Sequence, residues 1–128
     1  MIRWVLDASA MVDLPVVEQP LGTLREALRF DRCVTPAVMD LDAAALLSRL
    51  VSRGDLPDAE AVQILRDVRA APVQRFPHGP LMTRAWDLRK RTGLHGAAYV
   101  ALADVLGVPL LTSDPRLKDA WHRRRGVS

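Results

Sequence analysis

The sequence predicts an α/β domain, a mostly parallel sheet with helices on both faces, and two stretches carry that prediction. Ile2 to Ser9 (Ile-Arg-Trp-Val-Leu-Asp-Ala-Ser) is an extended apolar run that stops at one carboxylate, Asp7. Val108 to Asp114 (Val-Pro-Leu-Leu-Thr-Ser-Asp) repeats the form: apolar residues, hydroxyls, then an acid. Between them, short apolar runs alternate with segments of helical periodicity, giving about four strands interleaved with six or seven helices. In open parallel sheets ligands gather beyond the carboxyl ends of the strands, so adjacent strands would bring Asp7 and Asp114 together there. Asp and Ser also favour N-cap positions, so each acid has a second reading as the cap of the helix that follows it.

Taken in order, Ala8 to Leu14 reads as a short helix ended by Pro15, and Leu21 to Phe30 as a second, with Leu21, Leu24, Ala27 and Leu28 on one face. Arg32 to Thr35 is a short strand, and Pro36 stands at a helix start. The helix from Ala37 to about Arg53 is the longest. Val38, Leu41, Ala45, Leu46 and Leu50 form its apolar stripe, and Gly54 supplies the stop. Asp42 lies inside that stripe, where an unpaired carboxylate would cost several kcal/mol, so it requires a cation, hydrogen-bond donors or a metal. Arg49, two turns along the same face, is one candidate partner.

Asp55 or Asp58 opens the next helix, which runs to about Arg69; Ala71 to Phe76 is a strand and Pro77 to Pro80 a turn. Leu81 to Arg91 is helical, with Leu81, Ala85 and Leu88 inward, and Gly93 ends it. Gly96 to Leu106 is so uniformly apolar, Asp104 aside, that protein must surround it. Gly107 is its stop, Val108 to Thr112 the last strand and Asp114 to Arg123 the final helix.

The 128 residues fit one domain, 1–128, long enough to bury a core without disulfides. Cys33 is the single cysteine and reads as a buried strand thiol. With no apolar run of membrane-spanning length and no signal-like terminus, the expected location is cytoplasmic. The formal charge of +3 is unevenly placed, because Arg116, Lys118, Arg123, Arg124 and Arg125 against Asp119 give the C-terminal end +4. That patch suits a polyanion, and equally suits a helix C-terminus.

Four segments in this order resemble the PIN-domain family, and within it the VapC toxins of VapBC toxin–antitoxin systems. They are Val5-Leu-Asp-Ala-Ser-Ala, Thr35-Pro-Ala-Val-Met-Asp-Leu-Asp with the following Leu46 to Gly54, Leu94-His-Gly-Ala-Ala-Tyr-Val-Ala-Leu-Ala, and Pro109-Leu-Leu-Thr-Ser-Asp-Pro-Arg-Leu. The resemblance implies a PIN-like three-layer sandwich with a central, mostly parallel sheet of four to five strands. It also implies an endoribonuclease dependent on Mg2+ or Mn2+, with the ion held by carboxylates, as hard cations prefer. Carried over by position, Asp7, Asp42 and Asp114 are the catalytic and metal-binding acids, and Ser9 and Thr112 support the site. Asp42 falls where the family usually has a glutamate.

The departure is at Gly96, where the family typically has an acid and this chain reads His95-Gly-Ala-Ala-Tyr. Activity is therefore expected to be impaired. The alternative is a catalytically inactive PIN fold that binds RNA or antitoxin. A flavodoxin-like small-molecule binder is disfavoured, since no glycine-rich phosphate loop follows the first strand. The resemblance further implies an RNA substrate, a VapB-like antitoxin and a homodimer. Met11, Val12, Leu14 and Val17 are candidates to line an antitoxin groove, and Arg84, Arg89, Lys90, Arg91 and Arg116 candidates to meet RNA phosphates.

Overall fold

Strands β1 (Ile2–Leu6), β2 (Arg32–Pro36), β3 (Gln74–Phe76) and β4 (Leu110–Leu111) form one sheet in the order β3-β2-β1-β4, every pair parallel. The computed structural model describes residues 2–16 and 32–124. The expected helix from Leu21 to Phe30, together with Val17 and Arg125, lies outside the described residues.

Successive side chains of a strand point to opposite faces. Val5 and Leu6 are both fully buried, so both faces of β1 are covered, as a parallel sheet requires. Leu6 joins Met11, Met39 and Ala43 in one apolar cluster, and Val5 joins Val34, Ala101 and Leu102 in another. Around the sheet stand α1 (Ala8–Val16), α2 (Met39–Ser52), α3 (Asp58–Ala70), α4 (Met82–Leu106) and α5 (Pro115–Arg124), with a 3-10 turn at Gly79–Leu81. Helices α1, α2 and α3 pack on one another, and α4 lies against β1, β2 and β4 with α5 beside it. The observed sheet has four strands, all parallel, with helices around it.

Topology fixes where the chemistry gathers. From β1 the chain moves outward through β2 to β3, then returns to place β4 on the other flank of β1. The strand order reverses between β1 and β4, and ligand crevices form at such switch points, beyond the carboxyl ends. Asp7 follows β1 there; its backbone N–H donates to the Leu111 carbonyl of β4 at 3.3 Å.

Three local expectations are corrected. Helix α1 passes through Pro15 to Val16; a proline lacking its N–H removes one helical hydrogen bond without stopping the chain at the preceding residue. β3 starts at Gln74, not Ala71, because the Arg75 guanidinium collects the carbonyls of Val68, Ala71 and Val73 at 2.7, 2.9 and 2.6 Å, diverting that backbone from the ladder. At Gly93, by contrast, the expected break between two helices is present within α4: its φ of 74° and ψ of 159° are non-helical, a conformation that excludes ordinary side chains at little cost to glycine. On α2 the buried face is Met39, Ala43 and Leu47, while Leu41 is 66% exposed, so the apolar stripe sits about a third of a turn from its expected position. Met11 and Val12 are also core residues rather than groove lining.

Candidate active site

Asp7, Asp42 and Asp114 line one open cleft of about 460 Å³ above the switch point, together with Ser9, Arg49, His95, Gly96, Tyr99, Arg116 and Leu117. Three elements deliver the acids. Asp7 is the residue after β1, Asp42 lies in the first turn of α2, and Asp114 immediately precedes α5.

Asp7 is 3% exposed and fully engaged. Its carboxylate accepts the Ser9 hydroxyl at 2.8 and 2.9 Å, the Thr112 hydroxyl at 2.5 Å and the Ala10 backbone N–H at 2.9 Å. The bond from Ala10 makes Asp7 the cap of α1, and Asp114 caps α5 by accepting the Arg116 N–H at 2.9 Å. Cap and cleft residue, two separate readings of each acid, thus describe the same side chain. Burial pushes the Asp7 carboxyl above its ordinary range, the hydrogen bonds from Thr112, Ala10 and Ser9 pull it back, and the nearby Asp114 charge raises it again. Thr112 also accepts the Asp114 N–H at 2.9 Å, tying the two acids into one network.

Asp42 is held differently. Its two oxygens are taken by the His95 Nδ1 and by the Tyr99 hydroxyl, the latter at 2.6 Å. Burial first, then the hydrogen bond and charge of Asp42, hold the Tyr99 phenol well above its ordinary range, so it remains a donor. The structure therefore answers the need of Asp42 with hydrogen-bond donors, and Arg49 is not its partner. Sequence reasoning missed both donors. The available signal was their spacing, since positions 95 and 99 lie one turn apart on the same helical face.

Gly96, the position at which the resemblance implies an acid, is closely covered. A Cβ there would stand 2.6 Å from Leu117 Cδ2 and 3.3 Å from Thr92 Cβ, and Leu117 is itself buried, at 3% exposure. A leucine methyl from α5 stands in the space above the glycine.

Of the cationic candidates, Arg116 lines the cleft, with Nε 3.8 Å from Asp114. Arg84, Arg89, Lys90 and Arg91 do not line it. Arg84 pairs with Asp104 at 2.9 Å, and the Arg89 guanidinium lies 3.8 Å over the Trp86 ring. Asp40 is turned to Arg75 and Arg69, away from the cleft acids.

Carboxylate and hydroxyl oxygens are the donor set that hard divalent cations select, and the mutual repulsion of Asp7 and Asp114 is what such a cation relieves. Among the described residues, however, no three His, Cys, Asp or Glu side chains converge as closely as a finished metal centre needs. The donor chemistry fits; the Asp42 oxygens are committed to His95 and Tyr99.

Comparison with known proteins agrees with the fold. No family model matches the chain. It is 36% identical over 113 residues to ribonuclease VapC12 of Mycobacterium tuberculosis, covering 88% of each chain. It is also 36% identical over 124 residues to ribonuclease VapC3 of the same organism, covering 96% of this chain and 90% of the relative. Among solved structures, PAE2754 from Pyrobaculum aerophilum superposes with a TM-score of 0.72 at 19% identity, covering 93% of this chain and 79% of the other, a likeness of fold. Among the described residues no helix is long and apolar enough to cross a membrane. With 36% identity to both relatives over most of its length, the chain belongs to the VapC-type ribonucleases of the PIN-domain family.

Proposed function

We propose that this protein is a divalent-metal-dependent endoribonuclease of impaired activity, the toxin of a toxin–antitoxin pair, acting as a single PIN-like domain in the cytoplasm. The convergence of Asp7, Asp42 and Asp114 on one cleft carries the reading. The relatives named ribonuclease support its substrate class. A VapB-like antitoxin and a homodimeric state belong to the same proposal.

Asp7, Asp42 and Asp114 would hold Mg2+ or Mn2+, which when bound supplies positive charge at the phosphoryl oxygens of the scissile group. The protein's own contribution is positional. Ser9 and Thr112 fix both oxygens of Asp7, and His95 with Tyr99 fixes Asp42. Arg116 stands at the Asp114 side, where a guanidinium can take a phosphate oxygen pair. Impairment follows from Gly96, because Leu117 fills the space from which a fourth carboxylate would act.

The test is cleavage of single-stranded RNA with Mg2+ or Mn2+ and with EDTA. Weak cleavage is expected from the wild type, lost with EDTA and lost in Asp7→Asn. Cleavage indifferent to EDTA would overturn metal dependence, and vigorous cleavage by the wild type would overturn impairment.

A further inference from the structure

We infer that Arg49 is a substrate-binding residue of this cleft, holding an RNA phosphate that flanks the reacting one. The inference rests on the ribonuclease reading and adds to it a residue outside the acid set.

A cleft lined by three carboxylates repels a polyanion, so the strand must be held by cations on the cleft wall. Among the described residues two arginines line it, Arg49 and Arg116. Arg116 is partly committed, 3.8 Å from Asp114. Arg49 is exposed, and among the described residues no hydrogen bond or ion pair engages it. The acid nearest along the same helical face, Asp42, takes its hydrogen bonds from His95 and Tyr99 instead. A guanidinium facing an acidic cleft with no internal partner is placed for an external anion, and its planar fork suits a phosphodiester.

Position along α2 specifies which phosphate. Seven residues separate Asp42 from Arg49, two turns on one face and about 10 Å of helix rise. Arg49 therefore stands beyond the reacting centre, toward a neighbouring nucleotide. Between the two, Ala45 and Leu46 also line the cleft and present a low apolar wall rather than a competing charge.

The experiment measures binding of a fluorescein-labelled single-stranded oligoribonucleotide in EDTA over a range of salt, alongside metal-dependent cleavage. Arg49→Ala is expected to weaken binding at low salt by about fivefold, and to reduce the slope of log K against log salt by about 0.7, the value for one phosphate contact on a single strand. Arg49→Lys keeps the charge and should keep the slope. Arg66→Ala, on α3 and outside the cleft, should match wild type, and all three should melt with the wild type. An unchanged slope in Arg49→Ala overturns the inference, as does an equal loss in Arg66→Ala. If the wild type cuts RNA and Arg49→Ala cuts it with unaltered KM, Arg49 alone is wrong. If binding depends on Arg49 but RNA stays whole with Mg2+ or Mn2+, the phosphate contact stands and the ribonuclease reading falls. A wild type that binds no RNA overturns both.

Discussion

Consider placing an acid at position 96 by Gly96→Asp. The new Cβ would meet Leu117 Cδ2 at 2.6 Å, about 1 Å inside the separation at which carbons attract. Thr92 Cβ, at 3.3 Å, blocks retreat on the other side. Leu117 is buried, so its methyl can yield only by displacing neighbours. Overpacking of this kind costs about 1–3 kcal/mol, which for a domain of this size lowers the melting temperature by roughly 4–12 °C. Gly96→Ala carries the same Cβ without the carboxylate and should be destabilised similarly. Combining Gly96→Asp with Leu117→Ala removes the collision, so the double variant should be more stable than the sum of the two single effects by about 1–2 kcal/mol. Thermal melts of the wild type, Gly96→Asp, Leu117→Ala and the double variant measure this directly, with Gly96→Ala beside them. Magnesium-dependent RNA cleavage should then rise above wild type in the double variant, and remain at the wild-type level in Gly96→Ala. Strict additivity of the melts would refute the packing argument. A well-folded double variant that binds magnesium yet cuts RNA no faster would refute the claim that Gly96 limits catalysis.

Other expectations follow from the same geometry. Because burial raises the folded-state pKa of Asp7 above the ordinary carboxylate range, the native state binds more protons than the unfolded chain just above that range. Metal-free stability contributed by this group therefore falls as pH rises through the window, and in EDTA the melting temperature of Asp7→Asn relative to wild type should increase from pH 4 to pH 7; a difference that is flat or of opposite sign would contradict the assignment. Tyr99→Phe removes the 2.6 Å donor to Asp42 and should cost about 1–2 kcal/mol in denaturant unfolding, with a loss of metal-dependent cleavage. Arg75→Met leaves Asp40 with its longer contact to Arg69 and takes a donor from three backbone carbonyls, and should destabilise by about 3 kcal/mol without altering the cleft. An unchanged unfolding midpoint would show that this knot is not structural.

Much of the fold was legible in the sequence because its signals are local. The apolar runs ending at Asp7 and Asp114 announce parallel strands whose ends carry polar groups, and Gly93 and Gly107 mark where α4 bends and stops, each at positive φ. The meeting of Asp7 with Asp114 was also readable, since both follow strands and the sheet sets β4 beside β1. What could not be read depends on side chains from distant elements. Nothing local to Arg75 says that it will gather three carbonyls and shorten β3. The filling of the space at Gly96 by Leu117, 21 positions along the chain, is a tertiary event. Asp42 was recognised as needing a partner, but the choice between Arg49 and the pair His95 and Tyr99 is made by how α4 crosses α2, which periodicity does not encode.

The most direct test of the metal-dependent cleft is a crystal of the wild-type protein soaked in Mn2+ and measured at a wavelength where manganese scatters anomalously. The expected result is an anomalous peak within coordination range of the Asp7 and Asp114 carboxylates, absent from crystals of Asp7→Asn treated in the same way. No peak in the cleft at saturating Mn2+, or a peak that persists in Asp7→Asn, would contradict the account.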